Sequence, residues 1–412
     1  MINKTNTLLL FTQSYPFGKE ETFLEEEIKV LKDNFETIYI LSSSNDEKTR
    51  DVPTNVKEVK IPFTKLTLKK ILHAFLNKYY WRELFITMKK KPIRIFSSGF
   101  QKTLIYSLAN SISLSMKIDS FVKGNINTEN TKLFFYSYWI NDFALSFIHL
   151  KNKINGIYLS RGHGWDIYLE RSAINYLPLR SILPKYLDSL YFISDKGCQY
   201  YKNNFFNSEK LKSSRLGVSS VISHQKFIHK KRITLVSCSL IVPVKRIDLL
   251  VQSLALLQDI EYIWYHIGYD PHQGGLKNQI NKLAKNLNVN LNLLGFLSNE
   301  DVYQFYHDNE IDLFLNLSSS EGIPVSIMEA FSFSIPAMAT NVGGTSEIVT
   351  HENGYLLEAN PTREMVAKRI NLFYNLSIEE KNNKRKMAYK IWSEKYNAKK
   401  NYTQFAEDIL SL

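Results

Sequence analysis

Residues 313–349 read LFLNLSSSEGIPVSIMEAFSFSIPAMATNVGGTSEIV, and this stretch decides the fold of the chain. The apolar run at 313–317 predicts a buried strand of a parallel sheet, and residues 335–340 predict the next strand. Each run ends in small and polar residues, and Pro324 stands where the first turn of a helix tolerates proline. The stretch therefore predicts two strand-to-helix turns at the carboxyl edge of one sheet, where open parallel sheets bind ligands.

Two carboxylates belong to this stretch. Glu321 and Glu329 are eight positions apart (329 − 321), with Glu321 in the turn and Glu329 further along the helix. Both can reach one elongated ligand, while the N–H groups at the start of the helix suit a phosphate. The alternative is a purely structural unit with solvated carboxylates. Gly-Ile-Pro next to Glu321 favours the ligand loop, because these residues fill a helix poorly.

The ordered string SSSEGIPVSIMEA followed by NVGGTSEIV resembles the retaining glycosyltransferases of family four, which carry a Glu-x7-Glu signature and then a glycine pair. The resemblance covers essentially the whole chain and is strongest at 233–358. It implies an α/β protein of the GT-B fold, with two facing doubly wound parallel-sheet domains and a cleft between them. The implied reaction transfers a sugar from a nucleotide-sugar, such as a UDP- or GDP-sugar, to an acceptor hydroxyl with retained anomeric configuration.

The alternation of predicted strands and helices restarts at Ile233, which indicates two parallel-sheet domains. Residues 224–232, HQKFIHKKR, are interpreted as the linker. We therefore expect domains at 1–228 and 229–395. The resemblance implies that the first binds the acceptor and the second binds the nucleotide-sugar. The resemblance implies that a terminal helix at 396–412 packs back on the first domain.

The resemblance also implies roles for individual residues. Glu321 would hold the donor sugar near the reacting carbon, Glu329 the ribose hydroxyls and Lys245 the diphosphate. The implied donor-binding residues are Lys245, Arg246, Glu329, Gly322, Ile323, Pro324, Val325, Gly343, Gly344, Thr345, Gly295 and Phe296. The implied catalytic residues are Glu321 and His163, with Gly18 on the acceptor side.

One position departs from the family pattern. In the family's phosphate-binding loop an arginine precedes the lysine by a few positions, and counting back from Lys245 places Leu240 there. Leucine offers neither charge nor hydrogen-bond donor, so Arg246 is the remaining candidate for a second positive charge. The alternative is a surface Lys–Arg pair that begins a helix.

His163 and Gly18 lie in the first half of the chain. His163 stands between two glycines directly after a predicted strand at 156–160, so a turn exposes it at the ligand-binding edge. An isolated histidine is more often structural, but this one matches the family histidine that meets the donor sugar across the cleft. Gly18 is the flexible point of the loop after the first strand, which either faces the acceptor or is a plain connector.

The full chain has a formal net charge of +12, and its basic residues are concentrated in one region. Residues 60–117 contain twelve lysines and arginines and one acidic residue, Glu83, a net +11. Residues 66–85 predict one amphipathic helix with the apolar face Leu68, Ile71, Leu72, Phe75, Leu76 and Tyr79. This region is either a surface for an anionic membrane or a helix that packs on its own domain with a solvated basic face. No nucleic-acid-binding motif accompanies the charge, so nucleic acid is not an expected partner.

The remaining expectations concern compartment and cofactors. Two cysteines in 412 residues exclude a disulfide scaffold, and no signal peptide or membrane-spanning run is recognised. We expect a cytoplasmic protein, peripheral to the inner face of the membrane if the basic region binds lipid, that acts on a glycan or lipid-linked acceptor. Neither an Asp-x-Asp motif nor a His/Cys cluster is present, so we expect no metal and no cofactor. Two alternatives are a nucleotide-sugar 2-epimerase on the same fold and a catalytically silent, membrane-associated scaffold, which Leu240 favours.

Overall fold

The structure is a computed structural model that describes residues 5–18, 21–63, 65–219, 232–271, 275–287 and 289–412. It divides into two compact units, Met1–Ser214 with Tyr402–Leu412, and Arg215–Asn401. The predicted linker at 224–232, and with it the expected boundary at 228/229, lies outside the described residues except for Arg232. The first unit is thus built from two separate parts of the chain.

The first unit contains a seven-stranded sheet. Its strands are β1 (Thr5–Thr12), β2 (Thr37–Ser42), β3 (Val56–Lys60), β4 (Thr131–Ser137), β5 (Ile157–Gly162), β6 (Ser189–Phe192) and β7 (Leu211–Ser213). They pair in parallel in the order β3-β2-β1-β4-β5-β6-β7. Every residue of β5 is buried, as expected for a central strand with both faces covered.

Helices cover this sheet: α1 (Leu24–Leu31), α2 (Leu68–Phe75), α3 (Lys78–Lys90), α4 (Ser98–Asn125), α5 (Asp142–Leu150) and α6 (Asp195–Asn204). Short 3₁₀ helices occupy Pro92–Phe96, Leu169–Arg171 and Leu183–Tyr186. The single helix predicted over 66–85 is wrong in its extent. The chain breaks at Leu76 and Asn77, where the Asn77 side chain accepts a hydrogen bond from Tyr79 N and caps a new helix, α3.

The second unit contains a six-stranded sheet. Its strands are β8 (Arg232–Cys238), β9 (Glu261–Ile267), β10 (Leu291–Gly295), β11 (Leu313–Asn316), β12 (Ala337–Thr340) and β13 (Gly354–Leu357). They pair in parallel in the order β10-β9-β8-β11-β12-β13. The helices are α7 (Ile247–Leu254), α8 (Gly275–Asn286), α9 (Asn299–Asp308), α10 (Val325–Ser332), α11 (Thr345–Ile348), α12 (Arg363–Tyr374) and α13 (Ile378–Ile391). A 3₁₀ helix at Pro243–Lys245 follows β8.

The last helix, α14 (Ala398–Leu410), brings the chain back to the first unit. The Phe405 ring lies 5.3 Å from the ring of Tyr136 and 5.0 Å from that of Tyr191, measured between centroids. Both tyrosines stand on strands of the first sheet, so residues far apart in sequence share one hydrophobic core. Among the described residues, no helix combines the length and apolar composition that crossing a membrane requires.

Candidate active site

The candidate residues of the second unit gather where the strand order reverses. In the sheet β8 lies between β9 and β11, so the helices that follow β8 and β11 leave the sheet in opposite directions along it. Such a switch point opens a crevice at the carboxyl ends of the two strands. Lys245 follows β8 and Glu321 follows β11, which brings residues 76 positions apart to the same crevice.

Lys245 and Glu321 form an ion pair. Lys245 Nζ lies 2.6 Å from Glu321 Oε1, and both side chains are mostly buried. Burial acts to raise the pKa of Glu321, but the Lys245 ammonium and hydrogen bonds from Lys245, Ser318 and Asn316 outweigh it and hold the pKa below its usual range. Glu321 is therefore a negative charge near neutral pH, held in contact with Lys245.

The two loops predicted at this edge are bonded to each other. Gly344 N donates to Gly322 O at 2.7 Å, so the loop after β12 closes on the loop after β11. Gly343 has φ +52°, and a Cβ on it would lie 1.8 Å from Glu321 O. Only glycine fits here, because both the backbone conformation and the close approach exclude a side chain.

The N–H groups of the two loops differ in whether they already donate hydrogen bonds within the loop pair. Gly344 N donates to Gly322 O and Thr345 N to Val342 O, so these two groups are used inside the loop pair. The first turn of α10, by contrast, begins at Val325 with Pro324 at its N-cap and no capping side chain. The backbone N–H groups of Gly322, Ile323 and Val325 are therefore better placed to bind an anion, whereas Pro324 has no N–H, and the glycine pair braces their loop.

Glu329 lies on α10 close to the end of β8. It is buried, and together with burial its charge raises the pKa of the Cys238 thiol, which Lys245 lowers. Cys238 is the last residue of β8, so Glu329 and Lys245 both act on the end of this strand. The two glutamates of the sequence signature thus belong to one crevice.

Two positions in the loop after β8 differ from the family pattern. Leu240 stays 41% exposed, and its side chain supplies no positive charge. Arg246, in a left-handed conformation with φ +50°, donates to Ala359 O and Asn360 Oδ1, both at 2.9 Å. Its guanidinium therefore holds the loop after β13. Lys245 is the cation that contacts Glu321.

Gly295 and Phe296 end β10 beside the same edge of the sheet. Gly295 has φ +78° and accepts a hydrogen bond from Gly268 N at 2.8 Å. Phe296 is exposed, and its ring makes an edge contact with Tyr269 at 5.8 Å between centroids. The sequence reasoning missed Tyr269, whose position after β9 was the available signal. The two rings form an edge-to-face aromatic pair beside this edge of the sheet.

His163 follows β5 in the first unit. Asp166 fixes its backbone, because Oδ1 accepts from both His163 N and Gly164 N at 2.9 Å. The imidazole packs on Trp139 and Tyr138, with ring centroids 4.3 and 4.5 Å away. Neither ring nitrogen has a hydrogen-bond partner in the described part of the chain, although Nδ1 lies 3.8 Å from Asp166 Oδ2. The ring is therefore buried and held in place by its neighbours.

Glu21 also lies at the carboxyl edge of the first sheet, and the sequence analysis did not predict it as a site residue. Its carboxylate accepts hydrogen bonds from Ser14 N and Tyr15 N, both at 2.7 Å, and from Trp139 Nε1. Glu21 therefore ties the loop after β1 to the residues after β4, the switch point of the first sheet. Its φ of +58°, unusual outside glycine, was not detectable from residue type. Gly18, in the same loop with φ +69°, donates to Glu47 O.

A family model matches most of the second unit. Residues 219–391 match the family model of glycosyl transferases group 1. Over 114 residues the chain is 32% identical to WbnH of Escherichia coli, an O-antigen biosynthesis glycosyltransferase, covering 28% of this chain and 30% of that one. Over 232 residues it is 24% identical to WcaL of Salmonella typhimurium, a protein named for colanic acid biosynthesis, covering 53% and 55%. The chain thus spans less than two thirds of the length of these curated relatives.

A solved structure extends the likeness to the whole chain. HepE of Anabaena, in complex with UDP and glucose, superposes with a TM-score of 0.68 at 15% identity, over 98% of this chain and 99% of that one. At this identity the likeness shows the fold, so the prediction of a GT-B architecture is confirmed. In the described residues no group of three or more His, Cys, Asp or Glu side chains could hold a metal ion.

Proposed function

We propose that this protein is a retaining glycosyltransferase that moves a hexosyl group from a UDP- or GDP-sugar to a hydroxyl of a glycan or lipid-linked acceptor. The reaction would serve assembly of a surface polysaccharide in the cytoplasm, at the inner face of the membrane. The observation that carries the proposal is the Lys245–Glu321 pair, which stands at the switch point of the second sheet beside the start of α10.

The leaving group of such a reaction is a nucleoside diphosphate, whose negative charge grows as the sugar–oxygen bond breaks. Lys245 and the N–H groups at the start of α10 are fixed donors that stabilise this charge without reorganising. We therefore propose that no metal ion is needed. Glu329 of α10 is assigned to the ribose hydroxyls. Its buried carboxylate lies near the carboxyl end of β8 and can accept two charge-assisted hydrogen bonds.

Glu321 has a different task near the reacting carbon. Its pKa is lowered, so the carboxylate stays charged and can stabilise the positive charge of an oxocarbenium-like transition state. We favour this positioning and electrostatic role over a covalent intermediate. His163 is assigned to a hydroxyl of the sugar, because neither buried ring nitrogen makes a hydrogen bond within the described residues. Phe296 and Tyr269 are assigned to the base.

The nature of the donor and product class rests on relatives. The structure of HepE contains UDP and glucose, and WbnH is named for O-antigen biosynthesis. These names support a UDP-sugar as the first donor to test and a bacterial polysaccharide as the product.

The test is nucleotide release and binding with a panel of UDP- and GDP-sugars, with and without chelator. We expect one nucleotide-sugar to raise the melting temperature, by the equivalent of about 2.7 kcal/mol at a hundredfold excess over Kd. Glu321→Gln should lower the rate of nucleotide release about a hundredfold with little change in binding. Lys245→Met should weaken binding itself, whereas the exposed Lys386→Met should change neither quantity.

Other outcomes would favour the alternatives. Conversion of the donor sugar to its 2-epimer, without transfer, would indicate an epimerase. No shift with any donor, restored by Leu240→Arg, would show that leucine at this exposed position has removed donor affinity, as a silent scaffold requires. Chelator-sensitive release would contradict the metal-free mechanism.

A further inference from the structure

Helix α2 carries its apolar face outward. Leu68, Leu72 and Leu76 follow one another at a spacing of four residues and are 85%, 56% and 68% exposed. The only buried residue of the helix is Ala74, on the side that meets the rest of the unit. An amphipathic helix normally buries its apolar stripe, so α2 presents to its surroundings the face that water disfavours.

The outward face continues beyond α2. Trp81, Phe85 and Met88 of α3 are exposed at the spacing of a single helix face, and the Trp81 ring lies 5.1 Å from that of Phe75 at the end of α2. The 3₁₀ helix that follows projects Ile93 and Phe96, which are 85% and 83% exposed. We call the exposed apolar side chains of residues 68–96 the outer face.

This surface is exceptional within the molecule. Thirteen of the 22 large hydrophobic side chains found exposed in the described residues fall in residues 60–117. Scattered exposed apolar residues are ordinary, but a contiguous patch marks a binding surface. The patch therefore requires a partner that covers apolar side chains.

Charge decides which partner. The same residues 60–117 carry a net charge of +11, and Lys69, Lys78 and Lys91 stand exposed among the apolar side chains. Lys89 Nζ lies 4.3 Å from the centre of the Phe85 ring, so cation and aromatic share one place on the surface. If a second copy of this chain docked through the same surface, two regions of net charge +11 would face each other and repel. An anionic lipid surface instead neutralises the lysines while its acyl region receives the leucines and aromatic rings.

A cavity adjoins the outer face. It has a volume of about 290 Å³ and is lined in part by Lys90, Lys91 and Arg94, the basic residues that flank Ile93. Of these, Arg94 is directed by hydrogen bonds to Asn175 O and Ile174 O, which fixes its guanidinium at the cavity. The lining also includes the buried carboxylate of Glu83, and Lys90 Nζ donates to Asn204 O, so the cavity adds basic side chains beside the outer face and is not itself assigned to a headgroup phosphate.

We propose that α2, α3 and the 3₁₀ helix at Pro92–Phe96 form a membrane-docking surface that lies in the interface of an anionic bilayer. Leu68, Leu72, Ile93 and Phe96 enter the acyl boundary and the surrounding lysines contact headgroup phosphates. The inference uses residues of the first unit alone and does not depend on the proposed sugar transfer.

The test is co-sedimentation of the full chain with vesicles. Vesicles of phosphatidylcholine with about one third phosphatidylglycerol should bind the protein at least roughly tenfold more strongly than phosphatidylcholine alone. About 0.5 M salt should remove most of the difference. Equal or absent binding to both vesicles would overturn the proposal.

Two sets of variants locate the surface. Leu68→Gln with Leu72→Gln and Ile93→Gln should weaken binding roughly tenfold or more, because each removes an inserted side chain. The matched control, Leu256→Gln with Leu372→Gln, changes exposed leucines of the second unit and should bind as the parent does.

The charge variants follow the same design. Lys69→Gln with Lys78→Gln and Lys91→Gln should lose the preference for anionic vesicles, whereas Lys368→Gln with Lys386→Gln and Lys390→Gln should keep it. Melting temperatures report folding, and nucleotide release in detergent-free buffer reports the active site, so a failure of either is distinguished from a failure to bind lipid. If the parent protein dimerises and the leucine variants do not, the proposal is overturned, because a second copy of the chain would then cover the outer face.

Discussion

Lys245 and Glu321 show how two single side chains set the charge of the site. Each is mostly buried, and each compensates the cost of burying the other. A donor diphosphate that binds Lys245 would place a stronger negative charge next to Glu321. In the free protein the pair keeps the Glu321 carboxylate charged.

The pair leads to a prediction about stability and pH. Glu321 has a lowered pKa in the folded protein, so its stabilising contribution is complete above its unfolded pKa and is lost as pH falls through the folded one. In Lys245→Met the carboxylate stays buried without its cation, and its pKa should rise above the ordinary value. We expect the variant to be less stable by about 1–3 kcal/mol at pH 7.

The sign of the pH dependence separates this explanation from a simple packing defect. As pH falls from 7 to about 4, the Glu321 of Lys245→Met takes up a proton and its penalty disappears. The difference in unfolding free energy between variant and parent, measured by urea denaturation without ligand, should therefore shrink. A difference that stays constant with pH would show that lost packing, not charge, is responsible.

At the scale of elements, the loops after β11 and β12 act as one unit. The bond from Gly344 N to Gly322 O and the contact of Gly343 with Glu321 O fix the loop that carries the catalytic candidate. The start of α10 is oriented by this bracing, since it follows directly on the same loop. Gly343 and Gly344 therefore act on the site indirectly, by fixing the position of the loop that carries Glu321.

Gly343→Ala tests the bracing. A Cβ there would overlap Glu321 O, and the φ of +52° is costly for alanine, so we expect a loss of about 1–3 kcal/mol in unfolding free energy together with weaker donor binding. Gly295→Ala is the matched control, because Gly295 also has positive φ but a Cβ on it would meet nothing within 4 Å. If denaturation shows equal losses of unfolding free energy in the two variants, backbone strain alone explains both. The contact between residue 343 and Glu321 O would then contribute nothing.

At the scale of the whole molecule, the chain returns through α14 to the core of the first unit. Phe405 packs on Tyr136 and Tyr191, and its ring lies 4.0 Å from the guanidinium carbon of Arg161. Arg161 in turn forms a fully buried ion pair with Glu27 of α1, at 2.7 Å. The terminal helix therefore packs over a buried charged pair, either member of which would be costly to leave buried without its partner.

Phe405→Ala should accordingly destabilise the first unit. We expect a loss of about 3–5 kcal/mol, because a buried aromatic ring leaves a cavity in the core. Hydrogen exchange measured by mass spectrometry should show faster exchange in β4 and β6 and unchanged exchange in β11 and β12. Leu372→Ala, at an exposed leucine, is the control. Uniformly faster exchange in both sheets would contradict a role confined to the first unit.

The sequence predicted much of the second unit because the signal there is local. Strand, turn and helix follow one another at 313–349, and loops after neighbouring parallel strands must meet at one edge. The two strand-to-helix turns at one sheet edge follow from that order, and the two sheets follow from the alternation that restarts at Ile233. The GT-B fold was implied by the family resemblance. The roles given to Glu329, His163 and the other candidates are still predictions.

Tertiary structure alone decided three features. Glu21 holds the loop after β1 through Trp139, a contact across 118 positions that no local pattern encodes. Arg246 turns to Ala359 because a left-handed backbone at one residue redirects its side chain. The apolar face of α2 points outward although its periodicity is that of a core helix. A helical period fixes which residues share a face, but only the packing of the whole chain determines whether that face meets the core or the surroundings.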